Sequence, residues 1–146
     1  MRPSAIDKLE SSIEFEVLRF SNANVQNAET AHVLVIDSIG LLSSLYAYAD
    51  IAYVGGGFGK GIHNILEAAS FGMPIFIGPN NQNFQEAVDL KNIGVAIEIK
   101  SAQEMIAQCD LLLTRPNRWI ELKEKSKQYV REKSGATKKI VQKVFK

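Results

Sequence analysis

The sequence is poor in the residues that form cross-links and metal sites. Cys109 is the single cysteine among its 146 residues, which excludes an internal disulfide and a metal site of several cysteines. It lies in the apolar run MIAQCDLLL, so we expect it to be a small buried core residue. We find no Ser-His-Asp triad, no metal-ligand cluster and no P-loop lysine pattern, and we expect neither a metal nor another cofactor.

Long apolar runs and an excess of one charge are also missing. No stretch reaches the ~18–20 apolar residues that a bilayer span requires, and no signal peptide opens the chain. Seventeen Lys and Arg residues oppose 16 Asp and Glu residues, which gives no reason to expect a nucleic-acid partner. The chain is therefore expected to be soluble and cytoplasmic, with residues 1–146 forming one domain.

The sequence opens directly on residues that start helices. Ser4 is a candidate N-cap, and Asp7 follows three residues later, as in a capping box. An upstream strand and loop would normally come before such a helix in an α/β fold. We therefore expect this chain to be a fragment of a longer protein.

Short β-rich runs alternate with helix-like segments along the chain. The predicted strands are 15–20, 32–37, 51–55, 74–78 and 95–99; the predicted helices are 4–12, 41–49, 62–71, 83–91 and 102–113. This alternation predicts an α/β fold, a Rossmann-like parallel sheet with helices on both faces. The second, third and fourth strands are nearly all apolar and should be buried on both faces, whereas the first alternates like an edge strand.

The chain changes character from about residue 115. No strand pattern follows, and two helices are predicted with a break at residues 134–135. Residues 123–146 carry nine basic side chains against two acidic ones, Glu124 and Glu132. This charge fits either a solvated helix face or a patch that lies near an anionic membrane surface.

Five glycines fall within residues 55–61, between the third predicted strand and the helix after it. Each glycine costs roughly 0.5–1 kcal/mol in an ordered element, so a cluster requires a reason. Ligands of open parallel sheets bind beyond the carboxyl ends of the strands, and helix N-termini suit phosphate. The stretch therefore predicts a phosphate cradle; the alternative is a tight turn that needs unusual dihedral angles.

The helix after the glycines carries polar side chains with the spacing of one face. Asn64 and Glu67 are three residues apart, and the Glu67 carboxylate suits ribose hydroxyls or only the helix dipole. His63 is either a phosphate donor or a structural residue. Asn83, in the amide-rich stretch GPNNQNF, either borders the same cleft or caps a helix.

Four ordered motifs in residues 35–90 resemble those of the 3-deoxy-D-manno-octulosonic acid (Kdo) transferases, bacterial glycosyltransferases of the GT-B fold. The family pattern D-T-M-G-E-L corresponds here to DSIGLL, and Y-x-x-A-D-x-x-F-V-G-G-S corresponds to YAYADIAYVGGG. The pattern G-G-H-N-x-L-E-x-A corresponds to GIHNILEAA, and G-P-x-x-x-N-F corresponds to GPNNQNF. Leu41 replaces the usual Glu, Gly57 a common Ser and Ile62 a common Gly.

The resemblance implies the C-terminal, CMP-Kdo-binding half of an enzyme that moves Kdo from CMP-Kdo to a lipid A precursor in lipopolysaccharide biosynthesis. It places that enzyme at the cytoplasmic face of the inner membrane and requires no metal. The implied nucleotide-binding residues are Ser38, Ile39 and Gly40 for the cytosine, Gly56, Gly57, Phe58, Gly59, Gly61, His63 and Asn64 for the phosphate, Glu67 for the ribose, and Asn83.

The catalytic base of the family belongs to an N-terminal acceptor domain, which would also bind the lipid A precursor and which this chain does not contain. No catalytic residue is therefore expected here, and the chain alone should be inactive. The basic C-terminal helices would make any peripheral membrane contact. Alternatives are a UDP-sugar-dependent GT-B transferase, a UDP-sugar 2-epimerase domain, or a non-catalytic nucleotide-binding domain.

Overall fold

The structure, a computed structural model, describes residues 4–135 and 143–144. Its contacts divide the chain into two compact units, one up to Leu45 and the other from Tyr46. Each unit has a parallel sheet of its own, with two strands in the first unit and three in the second.

The first unit is a small arrangement of short helices with one pair of strands. In chain order its elements are α1 (Ala5–Ser11), β1 (Val17–Arg19), a 3-10 turn (Phe20–Asn22), α2 (Val25–Ala28), β2 (Val33–Val35) and α3 (Leu42–Leu45). Val17 pairs with Val33 in the parallel ladder of β1 and β2. Ser4 caps α1 in a reciprocal capping box with Asp7, as the sequence predicts.

The second unit alternates strands and helices. Its elements are a 3-10 turn (Tyr46–Tyr48), β3 (Ala52–Val54), α4 (Ile65–Ser70), β4 (Ile75–Ile77), α5 (Gln85–Asn92), β5 (Ala96–Glu98), α6 (Ala102–Thr114) and α7 (Pro116–Lys133). The strands lie in the order β3-β4-β5, all parallel. All five predicted strands therefore exist, each shorter than its apolar run.

The central strand β4 is buried on both faces, and this fixes the core of the second unit. Ile75 and Ile77 belong to a cluster with buried residues of α4, α5 and α7. Phe76 points to the opposite face and packs with Ile99, Leu112 and Leu122, which brings in α6 and α7. Helices thus cover both faces of this sheet, as predicted for an α/β fold.

The prediction that the second and third strands are buried on both faces is wrong. Leu34 of β2 is 46% exposed, and Tyr53 of β3 is 47% exposed. Within the described residues β2 pairs with β1 alone, and no residue between 4 and 45 is buried. β3 forms one edge of its sheet, so only β4 has the surroundings that its apolar sequence predicts.

Two helical segments also differ from the prediction. Segment 41–49 forms one turn of α-helix and then a 3-10 turn, because Ser and Tyr favour a long helix only weakly. α2 is not among the predicted helices; it has an amide capping box made by Asn24 and Asn27. The predicted helix beyond residue 135 falls outside the described residues, apart from 143–144.

Two further expectations can be compared with the structure. Cys109 is half-buried at the edge of the Phe76 cluster, not fully buried as expected, and burial raises the pKa of its thiol. Among the described residues, no helix has the length and apolar character required to cross a membrane.

Candidate functional site

The glycine loop, residues 55–61, leaves the carboxyl end of β3 and folds into a tight turn. The N–H groups of Gly59 and Gly61 both donate to the Gly56 carbonyl, at 2.8 and 3.2 Å. Gly56 and Gly61 have left-handed φ angles of +91° and +130°. A Cβ on Gly56 would lie 2.2 Å from the Gly61 oxygen, so this turn requires glycine.

Gly57 is needed for a different reason, a close crossing of two backbones. A Cβ on Gly57 would lie 2.6 Å from the nitrogen of Gly78, and a Cβ on Gly78 would lie 2.5 Å from the carbonyl carbon of Gly57. Gly78 begins the segment that follows β4, so the glycines also serve packing inside the unit. The turn predicted as the alternative to a phosphate cradle is therefore present in the structure.

In the glycine loop most backbone carbonyls accept hydrogen bonds, whereas several backbone N–H groups have no acceptor. The carbonyls of Gly55, Gly56, Gly57 and Gly59 each accept a hydrogen bond from the unit itself. In contrast, the N–H groups of Gly56, Gly57 and Phe58 have no acceptor anywhere in residues 4–135. Gly57 is also buried. Since unpaired backbone N–H groups require an acceptor, those of this loop can donate to a ligand or to water.

The start of α4 supplies the polar side chains of the site. The helix begins at Ile65, not at residue 62, because Asn64 is its N-cap and accepts from the N–H of Leu66 at 3.0 Å. The Asn64 amide also donates to Oε1 of Glu67 at 2.8 Å, which confirms the shared face. His63 is exposed, and its ring lies against the backbone of Gly56.

The segment GPNNQNF, residues 78–84 and here called the amide loop, packs on the glycine loop. Asn80 donates twice: its N–H to the Gly57 carbonyl and its Nδ2 to the Gly59 carbonyl, both at 2.8 Å. Asn83, the predicted contact residue, is exposed, and its side chain has no hydrogen bond to the described residues. Asn80 is thus the amide that touches the glycine loop.

Asn81 fixes the amide loop through a small polar cluster with Lys91 and Glu98. It is completely buried and donates through Nδ2 to the Gly78 carbonyl at 2.9 Å and to Glu98 Oε2 at 3.0 Å. Lys91 Nζ donates to Asn81 Oδ1 at 3.1 Å and pairs with Glu98. The hydrogen bonds from Asn81 and then Lys91 lower the pKa of Glu98 below its ordinary range.

Ser38, Ile39 and Gly40 lie in the first unit, while the other predicted site residues lie in the second. Ile39 is fully exposed, and Gly40 has a φ of +94°. The preceding Asp37 accepts from the N–H and Oγ of Ser21 at 3.0 and 2.6 Å, which lowers the pKa of its carboxyl. Asp37 therefore anchors this segment.

Sequence reasoning missed Asn80, Asn81, Lys91 and Glu98 in this region. The amide-rich composition of residues 78–84 was the available signal, but composition does not say which amide turns inward. No group of three His, Cys, Asp or Glu side chains in the described part of the chain could hold a metal ion.

The chain is similar to curated proteins named 3-deoxy-D-manno-octulosonic acid transferase. It is 28% identical to that of Bordetella pertussis over 94% of this chain and 33% of the relative. It is 32% identical to that of Aquifex aeolicus over 75% of this chain and 31% of the relative. The chain therefore spans about a third of the length of these relatives. No family model matches it.

A solved structure has the same fold. It is the C-terminal CMP-Kdo binding domain of WaaA from Acinetobacter baumannii, with a TM-score of 0.74 and 26% identity over 86% of this chain and 66% of that one. The Rossmann-like fold predicted for the C-terminal half of a GT-B enzyme is thereby confirmed. The four motifs, the curated relatives and the shared fold agree, and the chain is homologous to the Kdo transferases.

Proposed function

We propose that this chain binds the CMP part of CMP-Kdo as the donor domain of a Kdo transferase. The observation that carries the proposal is the likeness, in both sequence and fold, to a domain described as binding CMP-Kdo. In this proposal the longer protein moves Kdo from CMP-Kdo to a lipid A precursor in lipopolysaccharide biosynthesis.

The geometry of the glycine loop supports a role in phosphate binding. The N–H groups of Gly56, Gly57 and Phe58 have no acceptor in residues 4–135, and Lys60 is an exposed cation in the same loop. Successive free N–H groups form a concave site for an anion. The α4 N-terminus follows with Asn64 as its cap, so phosphate oxygens near this loop would meet N–H donors, while the carbonyls of Gly55, Gly56, Gly57 and Gly59 are already engaged within the unit.

We assign Glu67 to the ribose. One of its oxygens accepts from Asn64 at 2.8 Å, and no hydrogen bond within residues 4–135 occupies the other. Hydroxyl donors of a ribose would complete the hydrogen bonding of this carboxylate. Ser38, Ile39 and Gly40 are assigned to the cytosine on the family resemblance alone.

The proposed chemistry assigns this domain to the leaving-group side. As the bond between Kdo and CMP breaks, negative charge grows on the phosphate, and fixed N–H donors stabilise it. The base that activates the acceptor hydroxyl is, by resemblance, a Glu of the N-terminal domain of the family. The lipid A precursor and the inner membrane surface belong to the proposal for the longer protein.

Chemical-shift mapping of the ¹⁵N-labelled chain with CMP, UMP and UDP tests this assignment. We expect CMP to bind most tightly and to shift the amides of residues 56–61 more than those of α6. Tighter binding of UMP or UDP would favour a UDP-sugar enzyme and overturn the proposal. Shifts confined to residues outside the glycine loop would overturn the assigned site.

A further inference from the structure

The amide loop touches the glycine loop at three successive points. Gly78 crosses Gly57, Asn80 binds two carbonyls, and the Phe84 ring lies against Gly61, where a Cβ would come within 2.7 Å of Phe84 Cε2. These contacts follow the glycine loop over most of its length. The position of one loop therefore depends on the other.

A buried polar cluster fixes the amide loop in turn. Asn81 is completely buried, and all its side-chain hydrogen bonds run inward, to the Gly78 carbonyl, Glu98 and Lys91. Lys91 comes from the last turn of α5, and Glu98 ends β5. The cluster thus ties the loop to a helix and a strand that have no other part in the site.

We propose that Asn80 and the buried Asn81–Lys91–Glu98 cluster are positioning residues that hold the glycine loop in its nucleotide-binding conformation. This inference rests on the proposed CMP site. Asn80 draws the carbonyls of Gly57 and Gly59 toward the amide loop at 2.8 Å each. With those carbonyls held, the N–H groups of the loop stay free for phosphate oxygens. None of the four side chains needs to touch the nucleotide.

Hydrogen exchange of the nucleotide-free chain tests the positioning directly. The Gly59 and Gly61 amides report on the loop, because both donate to the Gly56 carbonyl. In Asn80→Ala the Nδ2 bond to Gly59 is lost while the backbone bond to Gly57 remains. A hydrogen bond of net worth near 1 kcal/mol predicts that these two amides exchange about fivefold faster. Exchange within twofold of the parent chain would overturn the proposal.

CMP affinity is the second readout. Only the ordered loop binds in this proposal, so affinity in Asn80→Ala should fall, by up to the same fivefold factor. A CMP affinity that rises in Asn80→Ala, or that falls far more than fivefold, would show that Asn80 does not act through loop ordering, and would also overturn the proposal. Because Asn80 is exposed, the variant should fold, and unchanged exchange of the Ile77 amide in the core checks this.

Asn92→Ala is the matched control. Asn92 is also an exposed asparagine, at the end of α5, and its side chain has no hydrogen bond to the described residues. It should change neither the loop amides nor the CMP affinity. If the parent chain binds no CMP, the proposed function fails, while the exchange measurement still decides whether Asn80 orders the glycine loop.

Discussion

Asn64 joins the cap of α4 to the carboxylate of Glu67. Its Oδ1 accepts from the N–H of Leu66 at 3.0 Å, and its Nδ2 donates to Glu67 Oε1 at 2.8 Å. One amide therefore starts the helix and also orients the carboxylate that we assign to the ribose. Substitutions at Asn64 and at Glu67 can therefore separate helix stability from nucleotide binding, because the helix cap and the contact to Glu67 are different hydrogen bonds.

Glu67→Gln should weaken CMP binding by about 1–3 kcal/mol, the range for losing a charged hydrogen-bond partner. The melting temperature should hardly change, since Glu67 is exposed on the first turn of α4. Calorimetric titration with CMP and thermal unfolding measure the two effects. Glu124→Gln, another exposed carboxylate, is the control on α7. A variant that unfolds readily and binds CMP normally would make Glu67 a structural residue.

Asn64→Asp should lower CMP affinity roughly tenfold with little change in stability. The aspartate oxygen still caps α4, whereas the donor to Glu67 is replaced by a second carboxylate. Asn64→Ala removes the cap as well and should cost about 0.5–2 kcal/mol of unfolding free energy. Urea unfolding of both variants, beside CMP titration, tests the distinction. Equal losses of stability would show that the Glu67 contact, not the cap, stabilises the helix.

Gly57→Ala should lower the free energy of unfolding by about 1–3 kcal/mol, the usual cost of forced overpacking. Its Cβ would lie 2.6 Å from the Gly78 nitrogen, and both contacting groups are backbone. Gly59→Ala, in the same loop, has its nearest contact at 3.6 Å and should stay within about 0.5 kcal/mol. Denaturant unfolding of Gly57→Ala and Gly59→Ala measures the difference in stability between the two variants. Equal stability would show that the two loops do not cross as closely as the structure has them.

The stability of the second unit should fall in acid in a way that depends on Glu98. Its folded pKa lies below the ordinary value of 4.5, because Asn81 and then Lys91 donate to the carboxylate. The resulting stabilisation is complete above the unfolded pKa and is lost as the pH falls through the folded one. Glu98→Gln should cost about 1.5–3 kcal/mol at pH 7 and progressively less below pH ~4. A difference that stays constant between pH 7 and pH 3 would contradict this.

Strand positions could be predicted from the sequence because apolar runs bounded by glycine, proline and polar residues are local signals. The burial of each strand could not be predicted from the sequence, since it depends on which other elements surround that strand. The runs of β2 and β4 look alike, yet Leu34 is 46% exposed and Phe76 is completely buried. Capping chemistry was also locally readable, at Ser4 and Asp7.

The site was predictable where its residues are close in sequence. Asn64 and Glu67 meet because a helix brings residues three apart together. The side-chain hydrogen bonds of Asn80 to Gly59 and of Asn81 to Glu98 and Lys91 join residues 10 to 21 positions apart, which no local pattern specifies. The five glycines predicted a phosphate cradle or a tight turn; the structure has a left-handed turn at Gly56 and, in addition, a backbone crossing at Gly57 that was not predicted.

The chain alone should transfer no sugar. It spans about a third of its curated relatives, and in the proposed mechanism the acceptor and the base lie in the remainder. Positioning both reactants is worth up to about 7–11 kcal/mol of barrier, which a domain that holds only the donor cannot supply. In the proposed site Glu67 binds Asn64 and the ribose, and His63, next to the glycine loop, would lie on the leaving-group side, so we assign neither as the base.

Incubation of the purified chain with freshly generated CMP-Kdo and a lipid A precursor tests this, with the Kdo-lipid detected by mass spectrometry. No product above the protein-free background is expected. The chain with a Glu67→Gln substitution serves as control, because it should give the same background if no chemistry occurs. Turnover in the parent chain that is lost in this variant would place the reaction within these 146 residues. The donor-domain assignment would then have to include a catalytic base.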